Sequence, residues 1–343
     1  MKVLHLSFHF GCISDMDTVF RSLGHEISHI NCQKKLPYHI TEAAAHVFWN
    51  DNKEFFNSFD LILTTDTVAL SFPFLLHLEE LTPHLIILNC NRFDYAMTTE
   101  PRFKELLKNI RTKLHKLTYI PYTDFERIWC SRHGIYLHEK AIQPIGGYLQ
   151  HINDSSFVQE NFKGLTTQHM TKEKQETVFL QRYHNSYRFM DVSQYLYDRG
   201  VSVTLGGYVN VGELKDYLSV VVLPDAFSKY FVFESIQSEI VVLVPTPRLL
   251  LELVGKGGYF FNIEGSSGRL QEEFVSLCEW FKYPETRLFF DSMEELPEVI
   301  KRITPEVIAE KKKWCRFYGK VILEEHLLQW KHILEKVSCY AGK

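Results

Sequence analysis

Short apolar runs alternate with amphipathic stretches along most of the chain, and this rhythm limits the fold more than any other feature. In the first half, residues 3–8, 26–30, 59–63, 85–88, 118–120 and 141–145 read as strands. Helical patterns lie between them, such as residues 15–23, which stop at Gly24. Apolar strands separated by helices are typical of a parallel sheet that is covered on both faces.

The same rhythm returns in the second half after a polar, aperiodic stretch. Strands are predicted at residues 178–180, 201–205, 218–223, 240–244 and 288–290. The 343 residues suffice for two cores. We therefore predict an α/β protein with two doubly wound Rossmann-like domains that face each other across a cleft, where ligands bind at the carboxyl ends of the strands. The predicted parts are residues 1–150, a linker or insertion at 151–175, a second domain at 176–318 and a terminal helix at 319–343.

Composition excludes several classes of protein. A formal charge of −4 gives no electrostatic reason to expect nucleic acid as a partner. The seven cysteines lack CxxC spacing, which favours free thiols over a zinc site or a disulfide framework. No apolar run approaches the roughly 20 residues that cross a bilayer, and no signal-peptide cleavage site follows the first strand. We expect a cytoplasmic protein without a transmembrane segment.

The order of features in the second half resembles the donor-binding domain of a GT-B glycosyltransferase. The features, in chain order, are Gln181-Arg182-Tyr183 after the first strand, Gly206-Gly207-Tyr208 after the second, Ser228-Lys229 after the third, and Phe233-Glu234-Ser235 in the helix that follows. The terminal helix with Trp330 resembles the one that crosses back to the first domain in that fold. The resemblance rests on order and spacing over most of the chain.

This resemblance implies transfer of a hexosyl or pentosyl group from a nucleoside-diphosphate sugar to a hydroxyl of a glycan or another acceptor. It implies no cofactor and no catalytic metal. The implied residues for the nucleotide and diphosphate are Arg182, Tyr183, Gly207, Tyr208, Ser228, Lys229, Glu234 and Ser235. Glu234 stands where a carboxylate commonly holds the ribose, and Lys229 and Arg182 can neutralise the diphosphate. Retaining members often have a second Glu where this chain has Ala226, so the stereochemistry stays open.

Polar residues that follow strands in the first half are the candidates for catalysis. Asp94 follows the strand at 85–88 and is a candidate general base, with Arg92 to orient it or to hold an acidic acceptor. His9 follows the first strand, and imidazole suits proton transfer near neutral pH. Each also has a structural interpretation: a loop cap for Asp94, an ion pair for Arg92 and a packed ring between two Phe for His9.

Two other interpretations stay open at this level. A nucleotide-sugar 2-epimerase shares the architecture and needs no second substrate, and a two-lobed ligand-binding protein needs no chemistry at all. The pair Asp15 and Asp17 matches the Asp-x-Asp of metal-dependent glycosyltransferases of another fold. Because a predicted helix starts there, helix capping is the preferred interpretation for this pair.

Overall fold

The computed structural model describes residues 1–32, 39–90, 100–137, 139–146, 174–181, 186–187, 190–207, 211–257, 260 and 272–341. The chain divides into two compact units. The first comprises Met1–Gly147 with Leu323–Lys343, and the second comprises Tyr148–Ile322. Apart from its last two residues, the predicted linker at 151–175 lies outside the described residues.

The first unit is built from five parallel strands and the helices that connect them. Its elements are β1 Lys2–Ser7, α1 Phe10–Ser22, β2 Glu26–Asn31, α2 Glu42–Phe56, β3 Leu61–Thr64, α3 Phe72–Leu76, β4 His84–Asn89, α4 Pro101–Lys108, β5 Leu117–Pro121 and α5 Asp124–Arg132. Every residue of β3 and β4 is buried. Burial on both faces explains why these strands are almost entirely apolar rather than alternating.

The second unit repeats this plan. Its elements are β6 Val178–Gln181, β7 Ser186–Tyr187, β8 Met190–Asp191, α6 Val192–Tyr197, β9 Val203–Gly206, β10 Ser219–Val221, α7 Tyr230–Gln237, β11 Val242–Pro245, α8 Pro247–Gly255, α9 Glu272–Val275, β12 Arg287–Phe290, α10 Leu296–Lys301 and α11 Pro305–Ala341. Strands β7 and β8 form a small antiparallel pair. Leu180, Leu196, Leu243 and Phe290 belong to one buried apolar core beneath the sheet.

Both main sheets have the same topology. The first has the order β2-β1-β3-β4-β5 and the second the order β12-β11-β10-β6-β9, with every neighbouring pair parallel. Numbered along the chain within each sheet, both orders read 2-1-3-4-5. The chain reverses its direction of travel between the first and third strands, and ligands of such sheets bind outside the carboxyl ends at that switch point. The prediction of two Rossmann-like α/β sheets is confirmed.

The long helix α11 belongs to both units, because its residues up to Ile322 group with the second unit and those from Leu323 onward with the first. In the first unit, Trp330 is fully buried and its ring lies 5.3 Å from that of Phe20. Within the part of the chain that the structure describes, no helix is both long and apolar enough to span a bilayer.

Two local predictions are wrong. Residues 141–145 do not form a strand, because their amides bond elsewhere: Ile142 N donates to Pro121 O (3.0 Å) and Ile145 N donates to the carboxylate of Asp15 (3.1 Å). Helix α1 begins at Phe10, so Asp15 and Asp17 lie inside it and do not cap its start.

Candidate functional site

Two polar side chains lie at the switch point of the first sheet. Strands β1 and β3 are neighbours, with Leu6 opposite Thr64. His9 stands two residues beyond the end of β1, and Asp66 two residues beyond the end of β3. The sheet therefore places the imidazole of His9 and the carboxyl group of Asp66 after the ends of two neighbouring strands.

His9 is the N-cap residue of α1. The backbone N–H of Gly11 donates to His9 Nδ1 (3.0 Å), and His9 N donates to Ser7 Oγ (3.0 Å). Because Nδ1 accepts a hydrogen bond, the proton of the neutral ring resides on Nε2. His9 thus presents an N–H donor through Nε2, and it can take up a proton only by giving up the cap. This argues against His9 as a lone general base.

Asp66 has two features of a functional carboxyl group. Its φ is +70°, a left-handed conformation that is uncommon for a residue with a side chain and that costs free energy. Burial raises the pKa of Asp66 to about 7, the Cys12 thiol adds to the rise, and His9 opposes it. A carboxyl group that titrates near neutral pH can both accept and return a proton under ordinary conditions.

The second unit offers a polar loop at its own switch point, between β6 and β10. Strand β6 ends at the buried Gln181, and the loop from Pro224 to Lys229 follows β10 and leads into α7. Gly207 directly follows β9, the neighbour of β6 on the other side. The predicted residues Ser228 and Lys229 therefore lie in one loop at the carboxyl edge of the sheet.

Lys229 and Ser228 of this loop each contact a carboxylate, one from within the loop and one from a distant segment. Lys229 Nζ lies 2.7 Å from Asp225 Oδ1, and Ser228 Oγ donates to Glu279 Oε2. Lys229 is the N-cap residue of α7, and its side chain makes no capping hydrogen bond there. Lys229 is thus paired with Asp225 in this structure, and Ser228 with Glu279.

A second segment fixes the conformation of this loop. Glu279 N donates to Phe227 O (2.8 Å), and the indole Nε1 of Trp280 donates to Ala226 O (3.0 Å). Both Glu279 and Trp280 are buried. The loop is thus held by groups more than 50 residues further along the chain.

Helix α7 carries the remaining two predicted residues that can be placed. Glu234 lies in the second turn and is 4% exposed. Ser235 is fully buried, donates to Val232 O (3.0 Å) and accepts from the guanidinium of Arg287 (2.8 Å). Ser235 therefore ties α7 to β12 in this structure.

A cavity of about 760 Å³ also opens in the second unit. Its lining includes Ser202, Leu218 and Val241, which lie at or just before the starts of β9, β10 and β11. It is therefore at the amino edge of the sheet, opposite to the edge at which ligands bind in this topology. We do not assign the donor to it.

The other predicted site residues lie outside the described residues: Arg92, Asp94, Arg182, Tyr183 and Tyr208. Among the residues that the structure does describe, no three His, Cys, Asp or Glu side chains converge as metal ligands.

Comparison with known proteins gives a likeness in structure alone. No protein-family model and no curated protein matches the chain in sequence. The solved structures that it resembles include the glycosyltransferase SnogD from Streptomyces nogalater, at 9% identity and a TM-score of 0.50 over 98% of this chain and 99% of that one. They also include CalG4, the calicheamicin glycosyltransferase, at 11% identity and a TM-score of 0.40 over 100% and 98% of the two chains. The repeated topology and the full-length likeness to SnogD show that this chain has the GT-B fold.

Proposed function

We propose that the protein is a glycosyltransferase that moves a sugar from a nucleoside-diphosphate sugar to an acceptor hydroxyl. One observation carries the proposal: in a chain with the GT-B fold, a carboxyl group with a pKa near 7, Asp66, stands at a switch point beside an imidazole. Glycosyl transfer to a hydroxyl needs a group that accepts a proton near neutral pH. SnogD is a glycosyltransferase, which agrees with this proposal.

The donor is assigned to the second unit. Lys229 at the start of α7 supplies an ammonium and the helix supplies its positive end, and both stabilise the negative charge of a leaving diphosphate. Arg182 and Ser228 are proposed to assist, and Glu234 is proposed to accept from the ribose hydroxyls. Gly207, Tyr183, Tyr208 and Ser235 remain proposed neighbours of the nucleotide.

The base is assigned to the first unit, with Asp66 preferred over His9. Asp66 removes the proton of the acceptor hydroxyl, the acceptor oxygen bonds to the anomeric carbon, and the bond from that carbon to the diphosphate breaks. His9 acts as a donor through Nε2–H, because its Nδ1 is held by the backbone N–H of Gly11. Asp94 and Arg92 remain candidates for the same region.

Metal independence is part of the proposal. In the proposed complex the departing diphosphate replaces Asp225 as the partner of the Lys229 ammonium, and this ammonium and the N-terminus of α7 provide the stabilisation that a divalent cation provides elsewhere. Turnover that is unchanged after treatment with a chelator supports this part of the proposal, and loss of turnover that magnesium restores contradicts it.

Donor binding can be tested without knowing the acceptor. Calorimetric titration with UDP, GDP, ADP, CDP and TDP is expected to find at least one nucleoside diphosphate that binds. The Lys229→Ala variant is expected to lose affinity for that diphosphate, while the control Lys256→Ala, an exposed Lys at the end of α8, keeps it. Absence of binding by all five ligands to the folded protein would contradict the donor assignment.

A further inference from the structure

A continuous chain of four polar side chains crosses the first sheet. Asp17 Oδ1 on α1 lies 3.0 Å from His29 Nε2 on β2, and His29 Nδ1 lies 3.0 Å from His5 Nδ1 on β1. His5 Nε2 then lies 2.8 Å from Thr65 Oγ1, directly after β3. This series of hydrogen bonds thus extends from Asp17 on helix α1 to Thr65, the residue that precedes Asp66.

These four side chains lie largely within the protein, where each needs a hydrogen-bond partner. His5 and Thr65 are fully buried, and His29 and Asp17 keep only 18% and 23% of their side-chain surface exposed. A buried polar group without a hydrogen bond is strongly destabilising. Every ring nitrogen of the two imidazoles has a partner, so the network is satisfied as a whole and removing one member leaves its neighbour unpaired.

The hydrogen bonds between these four side chains all donate in the same direction, from Thr65 towards Asp17. Asp17 can only accept, since hydrogen bonds from His29 and Arg21 outweigh its burial and lower its pKa. Burial lowers the pKa of both His5 and His29, so both rings are neutral at neutral pH. His29 Nε2–H therefore donates to Asp17, His5 Nδ1–H donates to His29 Nδ1, and the hydroxyl of Thr65 donates to His5 Nε2.

We infer that Asp17, His29, His5 and Thr65 form a positioning relay that holds Asp66 in its left-handed conformation at the end of β3. The catalytic meaning of the relay rests on the proposed function of Asp66. The hydrogen bonds of the relay and the conformation of Asp66 can both be measured without any substrate.

The backbone on both sides of Asp66 explains how the relay reaches it. Thr65 is held twice, through its N–H to Leu6 O (3.1 Å) and through its hydroxyl to His5. On the other side, Thr67 Oγ1 accepts from Ala69 N (3.4 Å) and starts a short helical turn. With both neighbours anchored, Asp66 keeps its φ of +70° and its partly buried carboxyl group.

The test measures the titration of the Asp66 carboxyl group by ¹³C NMR in the full-length protein. Thr65→Val removes the donor at the end of the relay, and Asp17→Ala removes the acceptor at its outer, partly exposed end. Thr118→Val is the matched control, because Thr118 also bonds a buried imidazole of this sheet, His84 (2.9 Å), without bordering Asp66.

In Thr65→Val and Asp17→Ala, the carboxyl pKa of Asp66 is expected to fall by about one to three pH units, because the released side chain reaches solvent. In Thr118→Val it is expected to stay at the wild-type value. An Asp66 titration that is the same in the wild type and both relay variants would overturn the inference.

Histidine ¹⁵N NMR of the wild type checks the direction of the hydrogen bonds in the relay. This measurement needs no variant, so it does not depend on whether a variant folds. The relay requires protonation at Nδ1 of His5 and at Nε2 of His29 at neutral pH, and the opposite pair of tautomers would overturn it. Because neither measurement uses a sugar donor, a protein that shows the relay but no glycosyl transfer would refute the proposed function alone.

Discussion

Replacing Asp66 with Asn should make the protein more stable at high pH. The pKa of this carboxyl group rises from 3.8 to about 7 on folding because the group is buried. The folded state therefore binds the proton more tightly than the unfolded state, and the free energy of unfolding falls as the pH rises from about 4 to about 7. A pKa rise of this size corresponds to about 4 kcal/mol in the free energy of unfolding, which the wild type loses between about pH 4 and pH 7. Asn cannot ionise and tolerates the left-handed conformation, so the variant avoids this loss.

Urea unfolding followed by fluorescence measures this difference, since three of the five tryptophans, Trp49, Trp129 and Trp330, lie in the first unit and the other two in the second. The stability of Asp66→Asn relative to the wild type is expected to increase by about 3–4 kcal/mol between about pH 4 and pH 8. Asp51→Asn, which removes an exposed carboxyl group from α2, controls for the loss of one negative charge. A stability difference between Asp66→Asn and the wild type that does not change with pH would refute the reasoning.

Glu234→Gln should weaken nucleoside diphosphate binding by about 1–3 kcal/mol in calorimetry, and unchanged affinity in the folded variant would remove Glu234 from the ribose site. Lys229→Ala should weaken diphosphate binding more than nucleoside binding, because only the former carries the charge; equal losses would point to a different site. If Asp66 is the base, kcat/KM should rise with pH through about 7, and Asp66→Asn should lower turnover by roughly 10²–10⁴-fold with donor affinity intact; a flat pH profile or full activity would contradict this. Trp330→Ala should destabilise the first unit by about 3–5 kcal/mol in urea unfolding, since the indole is fully buried against Phe20; a loss within measurement error would refute this packing role.

The fold could be predicted because its signal is local. Buried parallel strands such as β3 and β4 are apolar except at their ends, and the sequence pattern indicates helical segments between the strands. The start of α1 was harder to predict, because Phe10 and Gly11 are not typical of a helix start and the cap is the side chain of His9. Residues 141–145 are apolar enough for a strand, but a distant carboxylate, Asp15, binds one of their amides.

The site could be predicted only in part, because its key contacts are distant in sequence. Asp66 follows a buried strand, and the run Thr64-Thr65-Asp66-Thr67 was the available signal. Its importance depends on β3 being the neighbour of β1, which the sequence pattern does not specify. Glu279 contacts Ser228 across 51 positions, and no local pattern indicates that pair.

The most direct test of the proposed function is to incubate the protein with nucleoside-diphosphate sugars and a mixture of hydroxyl-bearing acceptors, with a chelator present. Mass spectrometry of the products then follows the sugar. The expected result is release of nucleoside diphosphate together with an equal amount of glycosylated acceptor, and strongly reduced product with Asp66→Asn. Conversion of the donor to an isomeric nucleotide sugar without an acceptor would instead indicate an epimerase, and binding without any turnover would indicate a ligand-binding protein; either result would contradict glycosyl transfer.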